Sequence, residues 1–186
     1  MCRERSSINM ISIKDYSLEY KSDSGIFKVH SFEIVPCPCC GGLLVVCGSR
    51  KRKLTKADGS KQVLGIRRLE CELCGKIHHE LPDIIVPYKR YEAAAVESAL
   101  SSDDSDTAGE FPGEENTLRR LQLWFCLLQT YFDEVLVSLT RQLCLENDVL
   151  LPLCPLKRQA AGWLKCLVRH TVNSGLWLQT RSVSTF

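Results

Sequence analysis

The sequence lacks any long hydrophobic run. Its longest apolar stretches, such as 43–47 and 149–151, are far shorter than the roughly 20 residues that a membrane-spanning helix needs. The first fourteen residues carry three basic side chains and no continuous apolar segment, which does not match a secretory signal. We therefore expect a cytoplasmic protein that has no membrane partner.

The usual signatures of catalysis are also missing. The sequence contains no phosphate-binding glycine loop, no nucleotide fingerprint and no recognisable Ser/His/Asp set. With 186 residues the chain is too short for a large multidomain enzyme, although 45% hydrophobic and 25% charged residues match ordinary globular composition. We predict a folded protein that is not an enzyme, with no catalytic residues and no small-molecule substrate.

Cysteine, in contrast, is abundant. The chain has eleven cysteines, an odd number, and persistent disulfides are rare in a reducing compartment, so metal binding is the better interpretation. Two copies of the motif Cys-x-x-Cys-Gly begin at Cys37 and Cys71, with 30 residues between Cys40 and Cys71. Each turn brings two sulfur atoms to one side of a tight loop, and two such turns complete a tetrahedral Zn²⁺ shell. The predicted ligands of one structural zinc ion per chain are Cys37, Cys40, Cys71 and Cys74.

Other ligands and roles remain open at this point. Cys39 could replace Cys37 or Cys40, but it lacks the two-residue spacing with a trailing glycine. His78 and His79 suit zinc too, yet adjacent residues on a strand cannot both point the same way. The four cysteines could also be buried apolar residues, and burial is what we expect for the cysteines outside the two motifs. A catalytic zinc is disfavoured, because four thiolates leave no open position for water.

The charges of the chain are segregated. Residues 50–68 hold eight basic side chains and one acidic one, a net charge of +7, whereas 92–115 hold eight acidic side chains and no basic one. The basic run lies on a hairpin predicted by Asp58-Gly59, between the two cysteine motifs. Such a ribbon suits DNA phosphates, although a solvated charged hairpin that prevents edge pairing has the same composition. The candidate DNA contacts of the ribbon are Arg50, Lys51, Arg52, Lys53, Lys56, Lys61, Arg67 and Arg68.

A second candidate DNA contact lies at the start of a predicted helix. Polar residues open this helix, basic residues follow, and Trp124 and Phe125 form an aromatic anchor, as in a recognition helix. An ordinary amphipathic helix start would have the same pattern. The candidate residues are Asn116, Thr117, Arg119 and Arg120.

The hydrophobic pattern predicts an α+β fold, a small antiparallel zinc ribbon followed by a helical region. Apolar residues at three- and four-residue steps predict a long helix over 118–143, and a further helix over 156–168 that ends near Asn173. We expect the two helices to pack through Trp124, Leu128, Phe132 and Leu139 against Trp163, Leu164 and Leu167. The predicted units are an N-terminal arm (1–25), the ribbon (26–87), a helical segment with an acidic loop at 101–113 (88–126) and a C-terminal helical extension (127–186).

Several motifs together resemble an uncharacterised bacterial family, one similar to the zinc-ribbon and helix-turn-helix front ends of transposases. They are the two cysteine motifs, Ile66-Arg67-Arg68-Leu69, His78-His79-Glu80-Leu81-Pro82-Asp83, Val86-Pro87-Tyr88-Lys89-Arg90-Tyr91 and Glu115-Asn116-Thr117-Leu118-Arg119-Arg120. The resemblance implies DNA binding in a mobile-element setting, with a helix-turn-helix in 88–126. No catalytic half follows, since the roughly 60 residues after Phe125 contain few carboxylates for a two-metal site. The alternative function is a protein-interaction module that forms a homodimer or binds a partner through its C-terminal helices.

Overall fold

A computed structural model of the chain describes residues 9–101, 111–144 and 161–178. The described residues form a mixed α+β fold of six strands and three helices. The strands are β1 (Asn9–Ile13), β2 (Tyr16–Lys21), β3 (Ile26–Ser31), β4 (Leu44–Thr55), β5 (Lys61–Cys71) and β6 (Ile77–Pro82). The helices are α1 (Ala93–Ser101), α2 (Glu115–Cys144) and α3 (Trp163–Asn173).

The long strand β5 organises the sheet. Along one edge it pairs antiparallel with β4 over its whole length, which gives the hairpin that Asp58-Gly59 predicted. The other edge is shared, because β6 pairs antiparallel with residues 68–70 and β3 pairs parallel with residues 64–65. Strand β1 extends the sheet parallel to β6, and β2 extends it antiparallel to β3. Strand β5 is therefore the central strand of the sheet, β4 pairs with β5 alone, and the hairpin is not an isolated ribbon.

The segment predicted as a weakly ordered arm differs from expectation. Residues 9–21 of that segment form β1 and β2, while residues 1–8 lie outside the described residues. Ile11 and Ile13 are 1% and 0% exposed, so β1 contributes to the core. Its parallel pairing with β6 joins residues far apart in sequence, and no local turn signal announces such a pairing. The arm is thus part of the sheet.

The helices follow the hydrophobic pattern, with changed limits. Within the predicted helical segment 88–126, the first helix, α1, begins only at Ala93, because the preceding residues are held against the hairpin. There Thr55 N donates to Arg90 O at 2.7 Å, and Glu92 N donates to Thr55 O at 2.8 Å. The long helix is confirmed as α2, and α3 begins at Trp163, with 156–160 outside the described residues. A middle helix of a helix-turn-helix would fall mainly on 102–110, which also lie outside them.

The predicted packing of the long helix on the following one is confirmed, except that Leu139 is half-buried and is not among the residues of the shared cluster. Trp124 and Phe132 of α2 share a buried cluster with Leu164 of α3, and Leu128 packs against it. The ring centroids of Phe125 and Trp163 lie 5.3 Å apart. Trp177, which follows α3, stacks on Phe132 at 5.2 Å and was not anticipated. No helix among the described residues combines the length and the apolar content needed to cross a membrane.

The helices are also fixed to the sheet and to each other by polar contacts. Asn173 at the end of α3 accepts from Ser12 N at 2.7 Å and donates to Ser12 O at 3.0 Å. Arg169 donates to the Glu33 carboxylate at 2.7 Å, which holds the pKa of Glu33 below its usual value against the opposing effect of burial. Met10 packs against both the helical cluster and the cluster beneath the sheet. Residues of β1 therefore contact both the helices and the cluster beneath the sheet.

Candidate metal centre and basic surface

The two cysteine motifs fold as matching turns at the open end of the β4/β5 hairpin. In the first, Cys37 O accepts from Gly41 N at 2.8 Å, and in the second, Cys71 O accepts from Gly75 N at 2.9 Å. Gly41 and Gly75 have φ values of 73° and 66°, a left-handed conformation that disfavours other residues. The trailing glycine of each motif therefore closes its turn.

The turns bring four sulfur atoms together. The Sγ atoms of Cys37, Cys40, Cys71 and Cys74, called the cysteine cluster below, all lie within 4.8 Å of one another. Sγ of Cys37 lies 3.7 Å from Sγ of Cys74, and Sγ of Cys40 lies 3.4 Å from Sγ of Cys71. Four sulfurs at about 2.3 Å from a tetrahedral Zn²⁺ are separated by about 3.8 Å. The donor set and its spacing are thus compatible with a structural zinc site.

Backbone N–H groups of the two turns donate to sulfur atoms of the cysteine cluster. Cys39 N donates a hydrogen bond to Cys37 Sγ at 3.4 Å. Hydrogen bonds from the backbone N–H groups of Cys74 and Leu73 lower the pKa of Cys71 to about 7, although burial of the thiol opposes this shift. Thiolates are the form in which cysteine binds metal. Cys40 shows the opposite shift: although Gly42 N donates to it, hydrogen bonds with the neighbouring thiols and burial raise its pKa to about 12. The turns thus favour the thiolate at Cys71 but not at Cys40.

The alternative ligands occupy different positions around this site. His78 is 0% exposed and its Nε2 lies 3.3 Å from Cys37 Sγ. Burial, followed by the charge of Lys76, lowers the pKa of His78 and favours a neutral ring. Cys39 approaches only Cys37 and His78 in a smaller group, and it is exposed. His79 points to the opposite face of β6, as expected for adjacent residues on a strand.

The remaining cysteines do not all follow the expectation of burial. Cys47 and Cys126 are exposed, so that expectation was wrong for them, and Cys166 is half-buried. Cys47 lies at the irregularity between Val46 and Gly48 in β4, where the pairing shifts, and its thiol donates to Arg68 O at 3.4 Å. The side chains of Cys2, Cys144 and Cys154 lie outside the described residues.

The register of the hairpin divides the basic residues between two faces. Arg50 pairs with Ile66 and Arg52 pairs with Leu64, whereas Lys51 and Lys53 pair with Gly65 and Val63. Because paired residues share a face and neighbours alternate, the arginines of β4 lie on one face and its lysines on the other. Arg68 lies on the arginine face and pairs with His79 of β6. Lys56 and Lys61 lie at the hairpin tip, where Lys56 Nζ is 3.8 Å from Asp58 Oδ2.

Arg67 has a different environment from the other candidate contacts. Its guanidinium donates two hydrogen bonds to the Glu80 carboxylate, at 2.6 and 2.7 Å. These bonds raise the pKa of Arg67, and Glu80 is 1% exposed. The charge of Arg67 is therefore balanced within the protein, and sequence spacing could not indicate this because the partner lies on the neighbouring strand. Arg52 is also engaged, since it donates to Lys89 O at 2.9 Å.

Lys89 is a residue that sequence reasoning did not single out. Its ammonium lies 3.9 Å from the centroid of the Trp124 ring, and burial lowers its pKa to about 8. Through Arg52 and Trp124, this residue links the arginine face of the hairpin to α2.

The start of α2 lies near the tip of the hairpin. A methyl group built on Gly59 would lie 3.8 Å from Pro112 Cβ, and the rings of Tyr91 and Phe111 lie 4.8 Å apart. Asn116 lies four residues after Pro112, a span of at most about 14 Å. Asn116 and the two arginines that follow it are exposed, Thr117 is half-buried, and Arg119 pairs with Glu115 at 2.6 Å. The start of α2 thus lies near Lys56 and Lys61 at the hairpin tip, whereas Arg67 and Arg68 lie toward the other end of β5.

Comparison with known proteins gives one partial match. A family model described as a domain of unknown function, DUF6431, matches residues 37–121. The matched segment begins at the first cysteine of the cluster, includes the hairpin and α1, and ends within α2. A search of curated proteins and a search of solved structures each found no match.

Proposed function

We propose that this protein is a zinc-stabilised DNA-binding protein without catalytic activity. The observation that carries the zinc part is the cysteine cluster, whose four sulfur atoms lie within 4.8 Å of one another. Four thiolates fill a tetrahedral shell, so the ion stabilises the fold and offers no position to a reacting water. In this view the two motifs and β4/β5 form a zinc ribbon that is built into a larger sheet.

The DNA part of the proposal is supported by the arginine face and by its neighbours. Arg50 and Arg68 lie on one face of adjacent strands, and the exposed start of α2 lies close to the same hairpin. Lysines and arginines that neutralise phosphates provide most of the salt-dependent affinity of DNA-binding proteins. Polar groups at a helix start could then contact base edges, as the sequence pattern suggests for Asn116 and Arg119. The resemblance to the N-terminal regions of transposases suggests the biological role of an accessory protein of a mobile element.

The zinc proposal is tested by metal content. Protein purified without added metal should hold one zinc per chain by mass spectrometry of the metal, and replacing any one cysteine of the cluster by serine should remove it. Cys39→Ser is the matched control, because Cys39 lies beside the cluster and outside the four-sulfur set. Loss of zinc from the Cys39 variant, with retention in a cluster variant, would show that the ligand set is different.

The DNA proposal is tested by fluorescence anisotropy with a random duplex at about 50 and 200 mM salt. The variant Arg50→Ala/Arg68→Ala should bind more weakly, and its log-log salt slope should be smaller by about 2, roughly 1 for each lost phosphate contact. The matched control is Lys14→Ala/Lys21→Ala, which removes two exposed positive charges, one just after β1 and one at the end of β2. Equal effects in the two variants, or no binding at the lower salt, would contradict the proposal.

A second candidate function is supported by one feature of α2. Leu123 and Leu127 are 58% and 59% exposed and lie one turn apart, which is unusual for an unpartnered helix face. A second copy of the chain could cover them and form a homodimer. Light scattering of the protein and of Leu123→Ser/Leu127→Ser decides this, since a dimer should become a monomer in the variant.

A further inference from the structure

Three adjacent strands place a cationic group of side chains around one histidine. Arg50 and Arg52 come from β4, Arg68 from β5 and His79 from β6, and the register puts all of them on one face. We call these four residues the arginine-histidine face. The lysines of β4 lie on the opposite face.

The described residues leave much of this charge unbalanced. Neither Arg50 nor Arg68 forms an ion pair with any described residue, and the ring of His79 makes no hydrogen bond with one. Glu70 lies further along the same face of β5 but forms no ion pair with Arg68. On the other side of His79, β1 places the uncharged Met10 beside it. Like charges held on one rigid face repel each other, so this arrangement favours a bound anion.

The environment of His79 makes it sensitive to such an anion. Burial, and then the charges of Arg50, Arg68 and Arg52, lower the pKa of His79 to about 4, with a smaller effect of His78. The ring is therefore neutral at pH 7. An anion bound among the arginines would offset their repulsion, and a protonated ring would then add a charged hydrogen bond to it.

We propose that the arginine-histidine face binds a phosphate group supplied by a nucleic-acid backbone, and that His79 takes up a proton when the phosphate binds. The planar guanidinium groups of Arg50 and Arg68 match two phosphate oxygens each, whereas lysine acts as a point charge. This inference rests on the proposed DNA binding, and it names the face and the proton that the binding involves. Anion binding and proton binding strengthen each other by the same factor, because linkage is reciprocal.

The proton uptake is measured directly by NMR. The His79 ring signal of the zinc-loaded protein is assigned by comparison with the spectrum of the His79→Gln variant, and it is then titrated over pH 4–8. The titration is repeated with a saturating short duplex, whose phosphodiesters do not titrate in this range. The pKa of His79 should rise by about two units or more, which corresponds to at least about hundredfold coupling. An unchanged pKa of His79 in the complex would overturn the inference.

The same coupling should appear in affinity. Duplex binding by the native protein should strengthen several-fold between pH 7.5 and 5.5, by at most about tenfold per pH unit from one site. His79→Gln should lose most of this pH dependence and retain binding at pH 7.5. His30→Gln is the matched control, since His30 is a histidine on β3 that pairs with Glu19, and it should behave like the native protein. An unaltered pH dependence in His79→Gln would contradict the inference.

A third arm separates this inference from the proposed function. Inorganic pyrophosphate is added to the native protein, and the His79 ring signal is followed at fixed pH. If pyrophosphate shifts His79 while duplex never binds, the face is an anion site with proton uptake and DNA is the wrong source of the phosphate. If duplex binds while His79 responds to neither ligand, DNA binding stands and the arginine-histidine face is not its contact.

Discussion

The ion pair between Arg67 and Glu80 gives a quantitative test of which basic residues are structural. Arg67→Ala would leave the Glu80 carboxylate, 1% exposed, without the two hydrogen bonds that now hold it at 2.6 and 2.7 Å. Removing one partner of a buried pair costs about 3–5 kcal/mol. The Arg67 side chain is 30% exposed, so water can partly replace it, and we expect a value of about 3 kcal/mol, at the lower limit.

The adjacent residue supplies the control. Arg68→Ala removes the same charge from the same strand, but Arg68 forms no ion pair with a described residue, so its loss should change the free energy of unfolding by less than about 1 kcal/mol. DNA binding should show the reverse order, with Arg68→Ala more damaging than Arg67→Ala when both are compared as folded proteins. The double variant Arg67→Leu/Glu80→Leu removes both charges and should recover much of the lost stability.

Urea denaturation followed by circular dichroism measures these differences, and thermal unfolding supplies a second measure. A loss of about 3 kcal/mol corresponds to a fall of about 6–12 °C in the melting temperature of a domain of this size. Equal stability of Arg67→Ala and Arg68→Ala would refute the argument, because the buried carboxylate would then not depend on Arg67. Failure of the double variant to recover stability would show that packing around Glu80, rather than its charge, limits the fold.

Three further predictions concern the metal site, the start of α3 and the packing of Trp177. Removing the metal with a chelator should unfold the two cysteine turns while the helical layer stays folded, and Cys39→Ser should respond like the native protein in a metal-release titration. Glu97→Ala should lower the free energy of unfolding by about 1 kcal/mol in urea denaturation, because the Glu97 carboxylate accepts from Gly162 N at 2.7 Å and Leu164 N at 2.9 Å at the start of α3. Glu97→Gln should recover part of this loss. Trp177→Ala should cost about 3 kcal/mol, since it removes the ring stacked on Phe132, and an unchanged melting temperature would contradict that packing.

The sequence predicted the features that depend on local spacing. The two Cys-x-x-Cys-Gly motifs gave the cysteine cluster, because a short turn fixes the separation of its sulfur atoms. Asp58-Gly59 located the hairpin turn, and the period of apolar residues located α2. Each of these signals comes from residues that are close in the sequence and therefore also close in space.

The features that were missed depend on pairing between distant segments. The parallel association of β1 with β6 has no turn signal, so residues 9–21 resembled a polar arm. The contact of Arg67 with Glu80 requires knowing that β5 and β6 are neighbours and in which register they pair. The same register gathers Arg50, Arg68 and His79 on one face, whereas the sequence showed only a run of positive charge.

The β4/β5 hairpin is attached to the rest of the protein at both of its ends. The cysteine turns join its base, and its tip is held by Thr55, which exchanges hydrogen bonds with Arg90 and Glu92. The two supports are formed by different residues, so loss of the metal should release the base while the tip remains attached to the helical layer. We expect hydrogen exchange without metal to accelerate from Cys37 and Cys71 toward the middle of β4 and β5, with α2 and α3 still protected. Metal supply would then set the stiffness of the basic surface without dismantling the protein.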